Sequence, residues 1–115
     1  MELEQRSEGE VLVVRPVDKR LDARLAGGFR AQLAELVAAG HHRLVLDVHD
    51  VEFIDSSGLG ALVAIRKQLG DSGELAICGA RETVMSMFKL TRLDKVFEIF
   101  ADEREAVAAL SRGSA

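Results

Sequence analysis

Cysteine and proline are almost absent from this chain, which has one of each among its 115 residues. The single cysteine excludes an internal disulfide and suits a reducing compartment, so we expect a cytoplasmic protein. The single proline, Pro16, cannot donate to a sheet ladder and predicts the end of the strand before it. No repeat, low-complexity segment or linker interrupts the chain. We therefore expect one compact domain over residues 1–115, with its core at about residues 3–110 and a short flexible C-terminal tail.

Excess positive charge and long apolar runs are also missing. The 15 Lys and Arg residues are outnumbered by 19 Asp and Glu residues, which gives a net charge of −4. Domains that bind nucleic acid normally present a basic face, so we expect no nucleic-acid partner. The apolar stretches are too short to span a bilayer, and the acidic residues 1–4 are unlike a signal peptide, so we expect no membrane partner. A content of 48% hydrophobic and 30% charged residues is typical of a soluble globular domain.

The signatures of several enzyme classes are absent as well. A serine-hydrolase elbow needs glycine two places before the nucleophile, and neither Ser56 nor Ser57 has one. No glycine-rich Lys-Ser/Thr loop for nucleotide phosphates occurs, and the three histidines lack the spacing of metal ligands. A response-regulator receiver needs an acidic pair after its first strand, where this chain has Pro-Val-Asp at residues 16–18. We therefore expect no enzymatic activity, no cofactor and no metal site.

Strands and helices alternate along the chain from residue 11 onward. Apolar and β-branched runs predict strands at residues 3–5, 11–14, 44–48, 75–78 and 96–100. Helical spacing of apolar residues predicts helices through residues 25–37, from about 57 to 69, over 83–90, and from Asp102 to 110. This order indicates an α/β fold with a mixed, mostly parallel sheet and packed helices.

Several side chains have simple structural interpretations. Cys78 is predicted to be a small core residue on a strand, and Leu90 to belong to the apolar side of the third helix. Residues 103–105 are interpreted as a solvated helix face. Asp22 is interpreted as a first-turn helix residue, with contact to a partner as the alternative.

The most informative segment runs from Asp55 through two serines to Gly58 and Leu59. It follows an apolar strand and opens an apolar helix, which places hydroxyl groups on an exposed loop at a helix N-terminus. Free N–H groups and the positive end of the helix dipole favour an added anion there, so a phosphate is physically reasonable. Taken alone, however, an acid and a hydroxyl before a helix are most simply turn and cap residues, and Ser57 in particular is interpreted as a cap.

The helix that follows this segment has one strongly apolar side. That side is formed by Leu59, Leu62, Ile65 and Leu69. Small residues next to it, among them Gly60 and Ala61, would let another backbone approach closely. Two interpretations stay open: a docking surface for a partner, or a helix buried on two sides within its own domain.

Three motifs in this order carry a family resemblance. Residues 46–59, Leu-Asp-Val-His-Asp-Val-Glu-Phe-Ile-Asp-Ser-Ser-Gly-Leu, place a core strand, an aspartate, a short loop and the serine segment in succession. Residues 21–23, Leu-Asp-Ala, form a turn into the first helix, and residues 90–97 link the third helix to the last strand. Together they resemble the anti-sigma-factor antagonists, the bacterial branch of the sulphate-transporter-and-antagonist (STAS) domain family. The resemblance covers residues 3–110.

The resemblance implies a single STAS-like domain and a phosphorylation site at Ser56, the first hydroxyl after the aspartate. In that family the unmodified antagonist binds an anti-sigma factor that is itself a serine kinase, and the sigma factor is released. Phosphorylation switches this binding off, and a serine/threonine phosphatase restores it. The implied partner-binding residues are Asp22, Asp55, Ser56, Ser57, Gly58, Leu59 and Leu62. The resemblance thus implies a cytoplasmic bacterial phosphoprotein that regulates transcription by partner switching.

The chain departs from the family in one loop. Family members often have glycine two or three positions before the Leu-Asp turn, where this chain has Asp-Lys-Arg at residues 18–20. That loop commonly lies beside the phosphorylated residue. A second function also stays open within the same fold: an accessory subunit of a lipid transporter, or a scaffold in stress signalling, which would use the same surface for binding.

Overall fold

The computed structural model describes residues 1–112, which form seven strands and four α-helices. The strands are β1 Leu3–Glu8, β2 Val11–Pro16, β3 Arg20–Leu21, β4 Arg43–Asp47, β5 Phe53–Ile54, β6 Glu74–Cys78 and β7 Glu98–Phe100. The helices are α1 Ala23–Ala38, α2 Ser56–Leu69, α3 Glu82–Leu90 and α4 Glu103–Arg112. Two 3₁₀ turns lie at Gly70–Ser72 and Leu93–Lys95. The predicted alternation of strands and helices is confirmed.

Five strands form the main sheet in the order β1-β2-β4-β6-β7. β1 pairs with β2 in the antiparallel direction, and the other pairs are parallel, which confirms a mixed, mostly parallel sheet. Parallel neighbours bring their carboxyl ends to the same edge, where loops and helix N-termini collect. β2 ends at Pro16, as predicted, because proline has no N–H for the ladder.

A second, two-stranded sheet lies outside the main one. β3 and β5 run parallel, with Arg20 beside Phe53 and Leu21 beside Ile54. The sequence predicts only a loop at residues 50–55, because two-residue strands are too short to show a period of two. This small sheet matters for function, since each of its strands leads directly into a helix.

The core lies between the main sheet and helices α1, α2 and α3. Phe29 of α1, Leu46 of β4, Ile65 of α2 and Phe88 of α3 are all at most 1% exposed. Burying a side chain of this size contributes about 1.5–3 kcal/mol. Helix α4 covers the opposite face of the sheet, where Ala106 and Leu110 pack in a second apolar cluster. Strands β2, β4 and β6 are thus covered on both faces, which explains their nearly continuous apolar sequences.

Three predictions about elements need correction. Leu90, the last residue of α3, is 78% exposed and so does not belong to the buried side of that helix, which Val84 and Phe88 form. The last strand starts at Glu98 and not at residue 96, because the chain first makes the 3₁₀ turn Leu93–Lys95. Ser111 and Arg112, predicted to belong to a frayed tail, continue α4. Residues 113–115 of that tail lie outside the described part of the chain.

Cys78 is buried on β6, as predicted. Within residues 1–112, no helix combines the length and the apolar character that crossing a bilayer requires.

Candidate functional site

Two helices begin side by side at the ends of the small sheet. Asp22 follows β3 and caps α1, since its Oδ1 accepts a hydrogen bond of 3.2 Å from the Arg24 backbone N–H. Asp55 follows β5 and caps α2, since its Oδ1 accepts from the backbone N–H groups of Ser57 and Gly58 at 2.9 and 3.1 Å. The helix cap is therefore Asp55 and not Ser57. The sequence predicts Asp22 in the first turn of α1, whereas the structure places it one residue earlier, at the N-cap.

The carboxylate of Asp55 also joins the two helices to each other. Its Oδ2 accepts a hydrogen bond of 3.1 Å from the backbone N–H of Ala23, the first residue of α1. The Asp55 N–H in turn donates to the carbonyl oxygen of Leu21 at 3.3 Å. A carboxylate is favoured at a helix N-terminus because it satisfies free N–H groups and meets the positive dipole end. Here one carboxylate does this for two helices.

Ser56 and Ser57 are the first two residues of α2, and both are exposed. Within the described residues neither hydroxyl has a hydrogen-bond partner. The hydroxyl of Ser56 adjoins the cap residue Asp55, in the first turn of a helix of 14 residues. The predicted phosphorylation site is therefore sterically open to a modifying enzyme.

Gly58 fixes the distance between α2 and the small sheet. A Cβ atom at this position would lie 2.4 Å from the carbonyl oxygen of Leu21 and 2.8 Å from Cγ1 of Ile54. Only glycine lets the helix pack this closely against β3 and β5. Gly58 is itself buried beneath the start of α2.

The apolar side of α2 belongs to the core of its own domain. Leu59 is 2% exposed and Leu62 is not exposed at all. The structure therefore corrects the prediction that these two side chains bind a partner directly. Of the two interpretations of this helix face, it supports the helix buried within its own domain. Of the predicted partner-binding residues, Ser56 and Ser57 are exposed, whereas Asp22 and Asp55 are half-buried beside them.

Sequence reasoning missed two residues of this surface, Arg20 and Phe53. They pair across the small sheet, and the Arg20 guanidinium lies 4.2 Å from the centre of the Phe53 ring. The Nε of Arg20 donates to Oδ2 of Asp22 at 3.3 Å. A signal was present, because each residue stands two places before a capping aspartate and residues at i and i+2 of a strand share a face.

The charge of Asp22 is maintained by these neighbours. Partial desolvation opposes ionisation of the carboxyl, but hydrogen bonds from the Arg20 side chain and the Arg24 backbone outweigh it. The pKa of Asp22 therefore lies below its ordinary value. The two strands that lead into α1 and α2 thus carry an arginine and a phenylalanine, followed by the two capping carboxylates and the exposed serines.

A second charged cluster lies at the end of β4, away from the small sheet. Asp47 is only 4% exposed, and its Oδ1 accepts from the backbone N–H of His49 at 3.0 Å and lies 2.9 Å from His49 Nδ1. The Glu103 carboxyl contacts Asp47 and also pairs with Arg6 of β1. The sequence predicts a solvated helix face at Glu103. The structure instead shows that Glu103 links α4 to β4 and β1.

The carboxyl groups of Asp47 and Glu103 interact, and their pKa values move in opposite directions. Burial alone would raise the pKa of Asp47, but hydrogen bonds from Glu103 and His49 hold it below its ordinary value. The hydrogen bond with Asp47 raises the pKa of Glu103, and Arg6 only partly offsets this. The cluster is a structural cross-link between β4, α4 and β1.

The described residues offer little for catalysis. In the part of the chain that the structure describes, no group of three His, Cys, Asp or Glu side chains is arranged to hold a metal ion. Burial raises the pKa of the Cys78 thiol to about 12, which leaves it protonated and unreactive at neutral pH.

Comparison with known proteins agrees with the fold and the site. A family model described as the STAS domain matches residues 2–106. BtrV of Bordetella bronchiseptica, named as a candidate anti-sigma factor antagonist, is 36% identical over 80 residues, which are 69% of this chain and 68% of BtrV. The anti-sigma F factor antagonist of Paenibacillus polymyxa is 28% identical over 96% of this chain and 95% of its own length.

Solved structures give the same result. The crystal structure of an anti-sigma factor antagonist from Mycobacterium paratuberculosis has a TM-score of 0.86 and 26% identity, and the match covers 94% of this chain and 92% of that one. Anti-sigma factor antagonists are regulatory binding proteins and not enzymes. The chain therefore belongs to the STAS domain family and, within it, to the anti-sigma factor antagonists.

Proposed function

We propose that the unphosphorylated protein binds an anti-sigma factor that has serine-kinase activity and so releases a sigma factor. Phosphorylation of Ser56 by that kinase ends the binding, and a serine/threonine phosphatase restores it. The protein acts in the bacterial cytoplasm as a regulator of transcription by partner switching. The observation that carries this proposal is the exposed Ser56 hydroxyl at the start of α2, next to a cap residue that two helices share.

A phosphate at this position changes the charge of the surface strongly. Phosphoserine adds about −1.5 to −2 charges at neutral pH and three acceptor oxygens. The carboxylates of Asp22 and Asp55 already make the two helix starts acidic. A kinase that holds its own nucleotide phosphates would meet this anionic surface, and both repulsion and desolvation oppose association.

The geometry of the site allows phosphorylation to change the surface without disturbing the start of α2. Asp55 fixes α2 through its own hydrogen bonds, and none of these involves the Ser56 hydroxyl. A phosphate can therefore be added without breaking a bond that holds the helix. Our proposal is a change of surface charge in which the fold stays the same.

The direct binding surface consists of the exposed serines together with Asp22 and Asp55. Gly58, Leu59 and Leu62 contribute indirectly, because they seat α2 against the sheet and so set where the serines lie. Substitution of these buried residues should weaken binding only through a loss of structure.

Incubation with the serine-kinase anti-sigma factors of the source organism and Mg-ATP tests the proposal. Phosphate should map to Ser56 by mass spectrometry, and Ser56→Ala should abolish labelling while binding changes by less than about twofold, since one exposed hydroxyl contributes little. Ser57→Ala, the matched control, should still be labelled. Ser56→Glu should weaken binding at least about tenfold by its charge. Labelling at Ser57, or no labelling by any of these kinases, would contradict the proposal and favour a STAS subunit that binds without a phosphorylation cycle.

A further inference from the structure

Arg20 is a cation on the strand beside the one that leads to the proposed phosphorylation site, and most of its hydrogen-bonding capacity is unused. Its side chain is 55% exposed and bonds Asp22 through Nε alone, at 3.3 Å. Among the described residues, its two terminal nitrogens have no hydrogen-bond partner. The ring of Phe53, 4.2 Å away, supports the guanidinium from one side by a cation–π contact.

The pairing of β3 with β5 brings the chain segments that carry Arg20 and Ser56 side by side. Arg20 pairs with Phe53 of β5, and Ser56 lies three residues after Phe53 in the chain. Three extended residues cover about 10 Å, and an arginine and a phosphoserine side chain together span that separation. The pairing of Arg20 with Phe53 and the hydrogen bond from the Ala23 N–H to Asp55 show that the two segments are in contact along this edge.

We propose that Arg20 is a phosphate-binding residue of the phosphorylated protein, in which its guanidinium leaves Asp22 and pairs with the phosphate on Ser56. This inference rests on Ser56 as the modified residue. A phosphate dianion carries more charge than a carboxylate and offers oxygens that fit the planar fork of arginine, so it competes well for a cation that has only one bond of 3.3 Å.

Asp22 does not lose its structural function when Arg20 leaves. Its Oδ1 keeps the bond from the Arg24 backbone N–H, which caps α1. Arg24 itself is less suited to the phosphate, because its side chain is 82% exposed and lies 3.9 Å from Asp22 without a ring to support it. The structure thus distinguishes Arg20 from Arg24, because only the Arg20 guanidinium has both a hydrogen bond to Asp22 and a contact with an aromatic ring.

The experiment uses full-length protein with phosphoserine installed at position 56 during translation, so that its result does not depend on any kinase. The second ionisation of the phosphate is followed by ³¹P NMR as a function of pH. Free phosphoserine ionises near pH 6, and a paired arginine should lower that pKa by about 0.5–1 unit at this exposed site. Arg20→Gln should remove this shift, whereas Arg20→Lys should retain part of it.

Two further variants complete the test. Arg30→Gln removes an exposed arginine further along α1 and should leave the phosphate pKa unchanged. Phe53→Leu keeps an apolar residue but removes the ring, and should lose part of the shift. The inference is wrong if the phosphate pKa of folded Arg20→Gln, checked by its amide spectrum, lies within about 0.1 unit of wild type. Failure of the proposed function is a separate outcome, namely the absence of Ser56 labelling by a kinase.

Discussion

At the scale of single residues, the carboxylate of Asp55 organises the whole site. It accepts three backbone N–H bonds, two from the first turn of α2 and one from the first residue of α1. Ser56 follows it in the chain and so has its position determined by this side chain. A capping residue that serves two helices should be worth more to stability than one that serves a single helix.

Asp55→Asn should therefore destabilise the protein. The asparagine oxygen can still cap α2, but its amide group cannot accept from Ala23, so that N–H loses its partner. We expect a loss of about 1 kcal/mol for Asn and about 2 kcal/mol for Ala, measured by urea unfolding. Asp102→Asn is the matched control, because Asp102 caps α4 alone through one bond to Glu105. Equal effects at both positions would contradict the double function of Asp55.

Glu103 predicts a pH-dependent stability at the other carboxyl cluster. Its pKa in the folded protein lies above the ordinary value of 4.5, because its carboxyl is hydrogen-bonded to Asp47 and partly desolvated. The folded state therefore binds a proton that the unfolded chain releases. The stabilisation is complete below pH 4.5 and is lost as the pH rises through the raised pKa.

Glu103→Gln keeps a neutral donor beside Asp47 but cannot ionise. Relative to wild type its unfolding free energy should rise as the pH increases from about 4 to about 7, measured by urea unfolding at each pH. Glu105→Gln removes an exposed carboxyl from the same helix turn and serves as the control. A difference between Glu103→Gln and wild type that stays constant with pH would contradict the raised pKa of Glu103.

At the scale of secondary-structure elements, the contact between α2 and the small sheet determines where the serines lie. Gly58 lies against the Leu21 carbonyl, whereas Gly60, one half-turn further on, has no atom within 4 Å of where its Cβ would be. The same helix thus contains one glycine that packing requires and one that it does not.

Gly58→Ala should cost about 2–3 kcal/mol, because the new methyl group overlaps a backbone oxygen and α2 must move. Gly60→Ala should instead stabilise the protein by about 0.5–1 kcal/mol through helix propensity. Urea unfolding measures both changes. If Gly58→Ala were as stable as Gly60→Ala, the close approach of α2 to β3 would be wrong.

The elements also show where sequence reasoning succeeds and where it ends. Long periodic segments such as α1 and the apolar strand β4 are predictable, because burial on one or both faces leaves a clear pattern. The strands β3 and β5 are not, since two residues carry no period and their pairing depends on segments distant in sequence. The apolar face of α2 was ambiguous for another reason: hydrophobicity indicates that Leu59 and Leu62 are covered, but not what covers them.

At the scale of the whole molecule, the proposed switch acts on charge and not on fold. The chain already carries a net charge of −4, and a phosphate adds about −1.5 to −2 more at one edge. Amide chemical shifts of the phosphorylated and unmodified proteins should therefore differ near β3, β5 and the starts of α1 and α2. Changes across α4, which covers the opposite face of the main sheet, would indicate a rearrangement and contradict a local switch.

The most direct test of the central claim is the affinity for the anti-sigma factor kinase with and without the phosphate. Isothermal titration at one fixed salt concentration would compare protein carrying serine with protein carrying phosphoserine at position 56, each against the kinase bound to a non-hydrolysable ATP analogue. The account predicts binding roughly a hundredfold weaker for the phosphorylated protein, and recovery after treatment with a phosphatase. Equal affinities of the two forms would contradict it.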